Sequence, residues 1–186
     1  AANYTLDEGA RMERDINFGT RSEENAERSL LLYRDSFGEA LIPLLSTNLG
    51  RAVYSQEFPY NLELNDESYD MIMIELVERN IPNLLTGAPL MQASEKQLPT
   101  DAVSVSCTAN AQKRSGFTQL YGSIAAYPAA ERIYIEVACT DGAVRVYEAF
   151  PVNDSGDADP AWESASGYLL TLPEGIEGEV SGAYIG

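Results

Sequence analysis

The chain has 186 residues, 45% of them hydrophobic, enough to bury the core of one domain with or without an extension. Twelve Lys and Arg against 29 Asp and Glu leave a formal charge of −17, which disfavours nucleic-acid phosphates and anionic membrane surfaces and favours divalent cations or basic partners. Histidine is absent, which removes Ser-His-Asp and Cys-His catalysis, histidine metal sites and imidazole acid–base chemistry.

The hydrophobic period changes near Pro99, from helical spacing before it to alternation after it. Thr5-x-x-Glu8 has the form of a capping box and opens a charged stretch with few apolar residues, Leu6, Met12, Ile16 and Phe18. It reads as an exposed helical stalk over 1–20, with Arg11, Arg14 and Asp15 as candidates for charge pairing with a partner. Thr20-x-x-Glu23 is a second capping box, and Ala26, Leu30, Tyr33, Phe37, Leu41 and Leu44 follow it in steps of three and four. That stripe predicts one amphipathic helix over about 22–46. Pro43 is expected to kink its end and Gly50 to terminate it. Asn65 is placed to cap a third helix burying Tyr69, Ile72, Met73, Leu76 and Val77 and stopping before Pro82.

From residue 101 onward the chain alternates. Strands are predicted at 102–108, 117–127, 132–139, 143–150, 168–172 and 179–185, with Asp141-Gly142 as the clearest hairpin turn and 113–116 as a looser one. Short connections favour an antiparallel meander. The predicted fold class is therefore α+β: a helical part, 21–99, packed on a β-meander of five to six strands, 100–186, within one domain over 21–186.

Cys107 and Cys139 each fall on the apolar face of an alternating run, so both sulfurs point to a core. They read either as one bridge or as two buried thiols. Asn153, Asp154, Asp157 and Asp159, with Glu163 beyond, offer hard oxygen ligands suited to calcium. Their spacing is not that of an EF-hand, and the alternative is a solvated acidic loop. Tyr121, Tyr134, Tyr147, Tyr168 and Tyr184 fall in predicted strands; strand propensity explains them, and a tyrosine-lined binding face is the sharper reading. Lys96 and Lys113 are the only lysines and neither follows a serine at the S-x-x-K spacing; no P-loop or dinucleotide fingerprint is present. No catalytic residue and no cofactor other than calcium is assigned.

The run Met12-Glu13-Arg14-Asp15-Ile16-Asn17-Phe18, continued by Ser22-Glu23-Glu24-Asn25-Ala26-Glu27-Arg28-Ser29-Leu30, resembles the post-membrane part of minor type IV pilins and pilin-like proteins. The run Val103-Ser104-Val105-Ser106-Cys107-Thr108-Ala109, with the strand from Phe117, is similar to their first hairpin. The segment 53–99 is longer than the simplest pilin pattern. The resemblance implies a non-catalytic, exported ectodomain at the cell surface, anchored by a membrane helix upstream. Its partners would be other filament subunits or surface proteins. The alternatives are a secreted or lipid-anchored binding module using a tyrosine-bearing sheet face, and a small hydrolase using two carboxylates about 5 to 10 Å apart.

Overall fold

The computed structural model describes residues 3–11, 15–63, 67–124, 132–153 and 166–186. The chain forms two compact units, Ala1–Ile81 and Pro82–Gly186, where the sequence suggests a stalk of 1–20 and a single domain of 21–186. Each unit carries its own sheet.

In the first unit the strands are β1 (Thr5–Leu6), β2 (Asn17–Arg21), β3 (Ser29–Tyr33), β4 (Arg51–Ser55) and β5 (Met71–Ile74), in the order β1-β2-β4-β3-β5. Strand β3 runs parallel to both β4 and β5; β2 is antiparallel to β4, and β1 to β2. This overturns the predicted long helix. The unbroken run Leu30-Leu31-Leu32-Tyr33 is buried throughout. A surface helix buries one stripe, whereas a central strand in parallel pairing buries both faces and reads as a continuous apolar run. Four adjacent apolar residues satisfy helical steps of three as well as strand steps of two, and burial on both faces decides between them.

The crossover from β3 to β4 carries a 3₁₀ turn, Phe37–Leu41, and one short helix, α1 (Ile42–Asn48). Pro43 lies in the first turn of α1 and starts it rather than kinking its end, because its missing N–H is not needed there. Ile42 packs with Phe18, Leu30, Leu32, Ala52 and Tyr54 into the core of this unit. A buried hydroxyl ladder pins α1 to the sheet. Thr20 Oγ1 donates to Ser46 Oγ at 2.9 Å, Ser46 Oγ shares a hydrogen with the Tyr54 hydroxyl at 2.7 Å, and Tyr54 reaches the Ile42 carbonyl at 3.3 Å. Thr20, predicted as a helix cap, is thus a core residue of β2. The stalk is likewise corrected: its ends are β1 and the start of β2, and Phe18 is buried and stacked on Tyr54.

The predicted third helix is also a strand, β5, followed by a 3₁₀ helix over Glu78–Leu85 that runs through Pro82. The second unit holds β6 (Val103–Val105), β7 (Asn110–Arg114), β8 (Phe117–Ser123), β9 (Ile133–Cys139), β10 (Val144–Val152), β11 (Gly167–Thr171) and β12 (Gly178–Ile185). Their order, β6-β12-β9-β10-β11-β8-β7, is not a simple meander, and among the described residues the second unit holds no α-helix to cover the sheet as predicted. The two edge strands β6 and β7 are successive parts of one bent segment. Val105 pairs with Ala183 of β12, Cys107 bridges Ile124, and Asn110 pairs with Tyr121 of β8. That shared segment curls the sheet around an interior of Leu120, Ile133, Ile135, Val137, Tyr147, Tyr168, Leu170 and Leu172. Gly122 permits the closure: a Cβ there would collide with the Thr108 carbonyl oxygen. Asp141-Gly142 makes the predicted hairpin, with Gly142 at φ +84°. Ser115 and Gly116, both at positive φ, make the β7–β8 turn in the I′ form that suits twisted strands.

Candidate functional site

Sheets protect their edges because an unpaired row of N–H and C=O groups invites another strand. In the second unit the bent 103–114 segment draws the two edges together. In the first, β1 is only two residues long. Strand β5 is different. It ends its sheet, pairs with β3 alone, and consists of Met71-Ile72-Met73-Ile74, with no charge, proline or bulge. Met71, Met73 and Ile74 are 55%, 37% and 38% exposed, which makes this the most apolar open edge among the described residues.

Register fixes which groups face out. Glu75 N–H donates to the Tyr33 carbonyl at 2.8 Å, so backbone alternation turns Met71 and Met73 toward β3 as well. The N–H and C=O groups of Ile72 and Ile74 therefore point away from the sheet. On the side-chain level, Met71 pairs with Leu30 and Met73 with Leu32, so both methionines lie on the α1 side, prolonging the core surface past the helix. Methionine suits such a place, being unbranched, polarizable and adaptable. A cleft of about 300 Å³ opens beside Met71 between Leu30, Leu49, Asn25, Arg28 and Asp70.

The edge is held rigidly from behind. At its start, Asp70 Oδ2 accepts from both the N–H and the hydroxyl of Ser29 at 2.8 Å, and Ser29 Oγ accepts from the Asp70 N–H at 3.0 Å. The Ser29 donors hold the Asp70 carboxyl below the usual range, so it is charged at neutral pH. Just before it, Glu67 accepts from the Tyr69 hydroxyl and from Arg51 of β4, both at 2.7 Å. Burial, followed by the Glu67 contact, pushes Tyr69 up to about 12. At the far end, Glu75 Oε2 accepts from the Asp35 N–H at 3.3 Å. Asp35 in turn accepts from Val77 N–H at 2.8 Å, Phe37 N–H at 2.8 Å and Asn80 at 3.2 Å. Val77 is the largest cause of its lowered pKa. Both ends of β5 are thus tied to the ends of β3, and its geometry is set before any partner arrives.

Other concave or charged places are less open to recognition. Arg34 sits buried at the C-terminal end of β3, over the Phe18 ring, with Glu39 at 3.7 Å and no partner on Nε. An anion entering there would meet Asp35, Glu39 and Glu75. A shallower cleft of about 220 Å³ in the second unit lies between Met91, Ala93, Glu148 and Phe150, where residues 92–95 bridge β11 and β10.

The residues singled out in the sequence are scattered. Arg11 and Asp15 close a local turn on each other, Arg11 N–H donating to Asp15 Oδ2 at 2.7 Å; Arg14 lies outside the described residues. Cys107 and Cys139 are both free. Cys107 bridges Ile124 beside β8, and Cys139 pairs with Gly178 from β9, with β10 and β11 between β8 and β9 in the sheet. Of the calcium candidates, Asn153 donates its N–H to the Leu85 carbonyl at 2.7 Å, whereas Asp154, Asp157, Asp159 and Glu163 lie outside the described residues. Tyr147 and Tyr168 are buried in the interior of the curled sheet, whereas Tyr134 is buried outside that cluster and Tyr121 and Tyr184 are half-buried. Burial raises the pKa values of Tyr147 and Tyr168. Among the described residues no helix is long and apolar enough to cross a membrane, and no three His, Cys, Asp or Glu are grouped to hold a metal.

The edge strand is hidden in the sequence because Ile72 and Met73 also fit a helical spacing with Tyr69, Leu76 and Val77. The available signal was the lack of any polar residue between Asp70 and Glu75. No family model matches the chain, and neither a curated protein nor a solved structure matches it.

Proposed function

We propose that this chain is a non-catalytic binding module that captures an extended polypeptide by adding it as a strand to β5. One observation carries the reading: β5 is a rigidly held, uncharged edge whose outer backbone groups and apolar side chains are open. Strand addition draws affinity from main-chain hydrogen bonds and selectivity from alternate side chains. The filament-subunit reading loses its motivation, because the ends of the 5–18 segment are β1 and the start of β2, and the helix over 22–46 gives way to β3, a 3₁₀ turn and the short α1. The binding-module alternative keeps its class but changes its surface, from the tyrosines of the second unit to the edge of the first.

The test uses a soluble peptide with a Val-Thr-Val-Ile centre between Gly-Ser ends, titrated by fluorescence anisotropy. Ile72→Pro removes one outward N–H and no bond to β3, and proline is tolerated on edge strands. Binding by the wild type and at least tenfold weaker binding by Ile72→Pro, with unchanged circular dichroism, supports the proposal. Equal binding by both proteins refutes it.

A further inference from the structure

We infer that the strand β5 receives is an apolar segment bracketed by basic residues five positions apart, supplied by another protein rather than by a second copy of this chain. The inference rests on the strand-addition reading and names the partner's chemistry. Asp70 and Glu75 stand immediately before and after the four apolar residues of β5. Asp70 is exposed and Glu75 half-buried. Each gives one carboxylate oxygen to the backbone of its own unit, Asp70 to Ser29 and Glu75 to Asp35. Neither forms an ion pair within 4 Å among the described residues, so neither charge is cancelled by a salt bridge.

A second copy is the simplest strand to imagine here, and its electrostatics are wrong. Two β5 strands paired antiparallel about a two-fold axis between Ile72 and Met73 place Met71 opposite Ile74. They also place Asp70 of one copy opposite Glu75 of the other, at both ends. Like charges directly across a strand pair are destabilising, and a formal charge of −17 on each chain adds long-range repulsion. Replacing the acids on the incoming strand by Lys or Arg turns both cross-strand contacts into attractions. This holds for parallel and antiparallel approach alike, because the two acids bracket the edge symmetrically.

Three peptides share the Val-Thr-Val-Ile centre and differ only in the bracketing residue: lysine, serine or glutamate at both ends. The lysine peptide is expected to bind at least tenfold more tightly than the serine peptide in 50 mM NaCl, and the glutamate peptide more weakly than either. The lysine advantage should shrink several-fold in 0.5 M NaCl, since exposed charges are screened. The variant Asp70→Asn with Glu75→Gln keeps an oxygen for Ser29 and for Asp35, and should bind lysine and serine peptides alike. Sedimentation of the chain alone should show no self-association through β5. Equal affinity of all three peptides for the wild type would overturn the inference while leaving strand addition standing. Failure of every peptide to bind would overturn strand addition itself. A dimer abolished by Ile72→Pro would overturn the choice of partner.

Discussion

Ser46 sits at the middle of the Thr20–Ser46–Tyr54 ladder, and its removal has a cost that can be worked from the structure. Ser46→Ala deletes the 2.9 Å bond from Thr20 and the 2.7 Å bond with Tyr54 in a fully buried place. Two neutral hydrogen bonds contribute about 0.5–1.5 kcal/mol each. Neither partner is stranded: Thr20 retains a long contact to the Ala52 carbonyl at 3.4 Å and Tyr54 one to the Ile42 carbonyl at 3.3 Å. Alanine also favours α1 over serine by roughly 0.5 kcal/mol. The net expectation is a loss of about 1–2 kcal/mol in the first unit. Tyr54→Phe, which breaks the same Ser46 bond, should cost about 1 kcal/mol. Because the bond is shared, the double variant should cost about 1 kcal/mol less than the sum of the singles. Native-state hydrogen exchange, read on fragments covering β3 and β4, isolates the stability of this unit from that of the second. Additivity to within about 0.3 kcal/mol would refute the ladder, as two-bond cooperation through Ser46 requires coupling.

Asp35 has a depressed folded pKa, held down chiefly by the Val77 N–H, so its contribution is present above the unfolded value and is lost as pH falls through the folded one. Protection at β3, taken as the exchange rate relative to the intrinsic rate at each pH, should therefore fall on acidification below about pH 4, and Asp35→Asn should destabilise the unit at pH 7 while flattening that acid limb; an unchanged limb would refute the assignment. Gly122→Val should prevent the Thr108 carbonyl from closing the curled sheet and cost at least the roughly 1–3 kcal/mol of an overpacked core, measured as a lower urea midpoint of the second unit. Thiol titration of the unfolded chain without reductant should find two free cysteines, and none would contradict the separation of Cys107 from Cys139.

Six of the seven strands of the second unit are legible in the sequence because apolar residues alternate in them and their turns carry residues that turns require, whereas β7, exposed throughout, carries no such signal. Ile133, Ile135, Val137 and Cys139 step inward as their spacing indicates, and Gly142 supplies the positive φ of the hairpin. Sequence spacing does not reveal that 103–114 bends across from β12 to β8, because a curled sheet and a flat one share the same alternation. The first unit departs from its predicted helices for one physical reason at two places. Leu30-Leu31-Leu32-Tyr33 and Met71-Ile72-Met73-Ile74 are apolar on both faces, and such runs carry no period. In β3 the neighbours on either side bury both faces, a tertiary fact. In β5 one side has no strand neighbour among the described residues, and the same apolar composition lies at an open edge. Tyr147 and Tyr168 fill the interior of the curled sheet, and the strand propensity read from the sequence accounts for both.

The most direct measurement is residue-resolved amide exchange along β5, first in the free chain and then with the lysine-bracketed peptide at saturation. Met73 and Glu75 should be protected in both states through their bonds to β3. Ile72 and Ile74 should exchange freely alone and slow at least tenfold with peptide bound. Protection of Ile72 and Ile74 in the free chain, or exchange unaltered by saturating peptide, would show that β5 is not an open, strand-accepting edge.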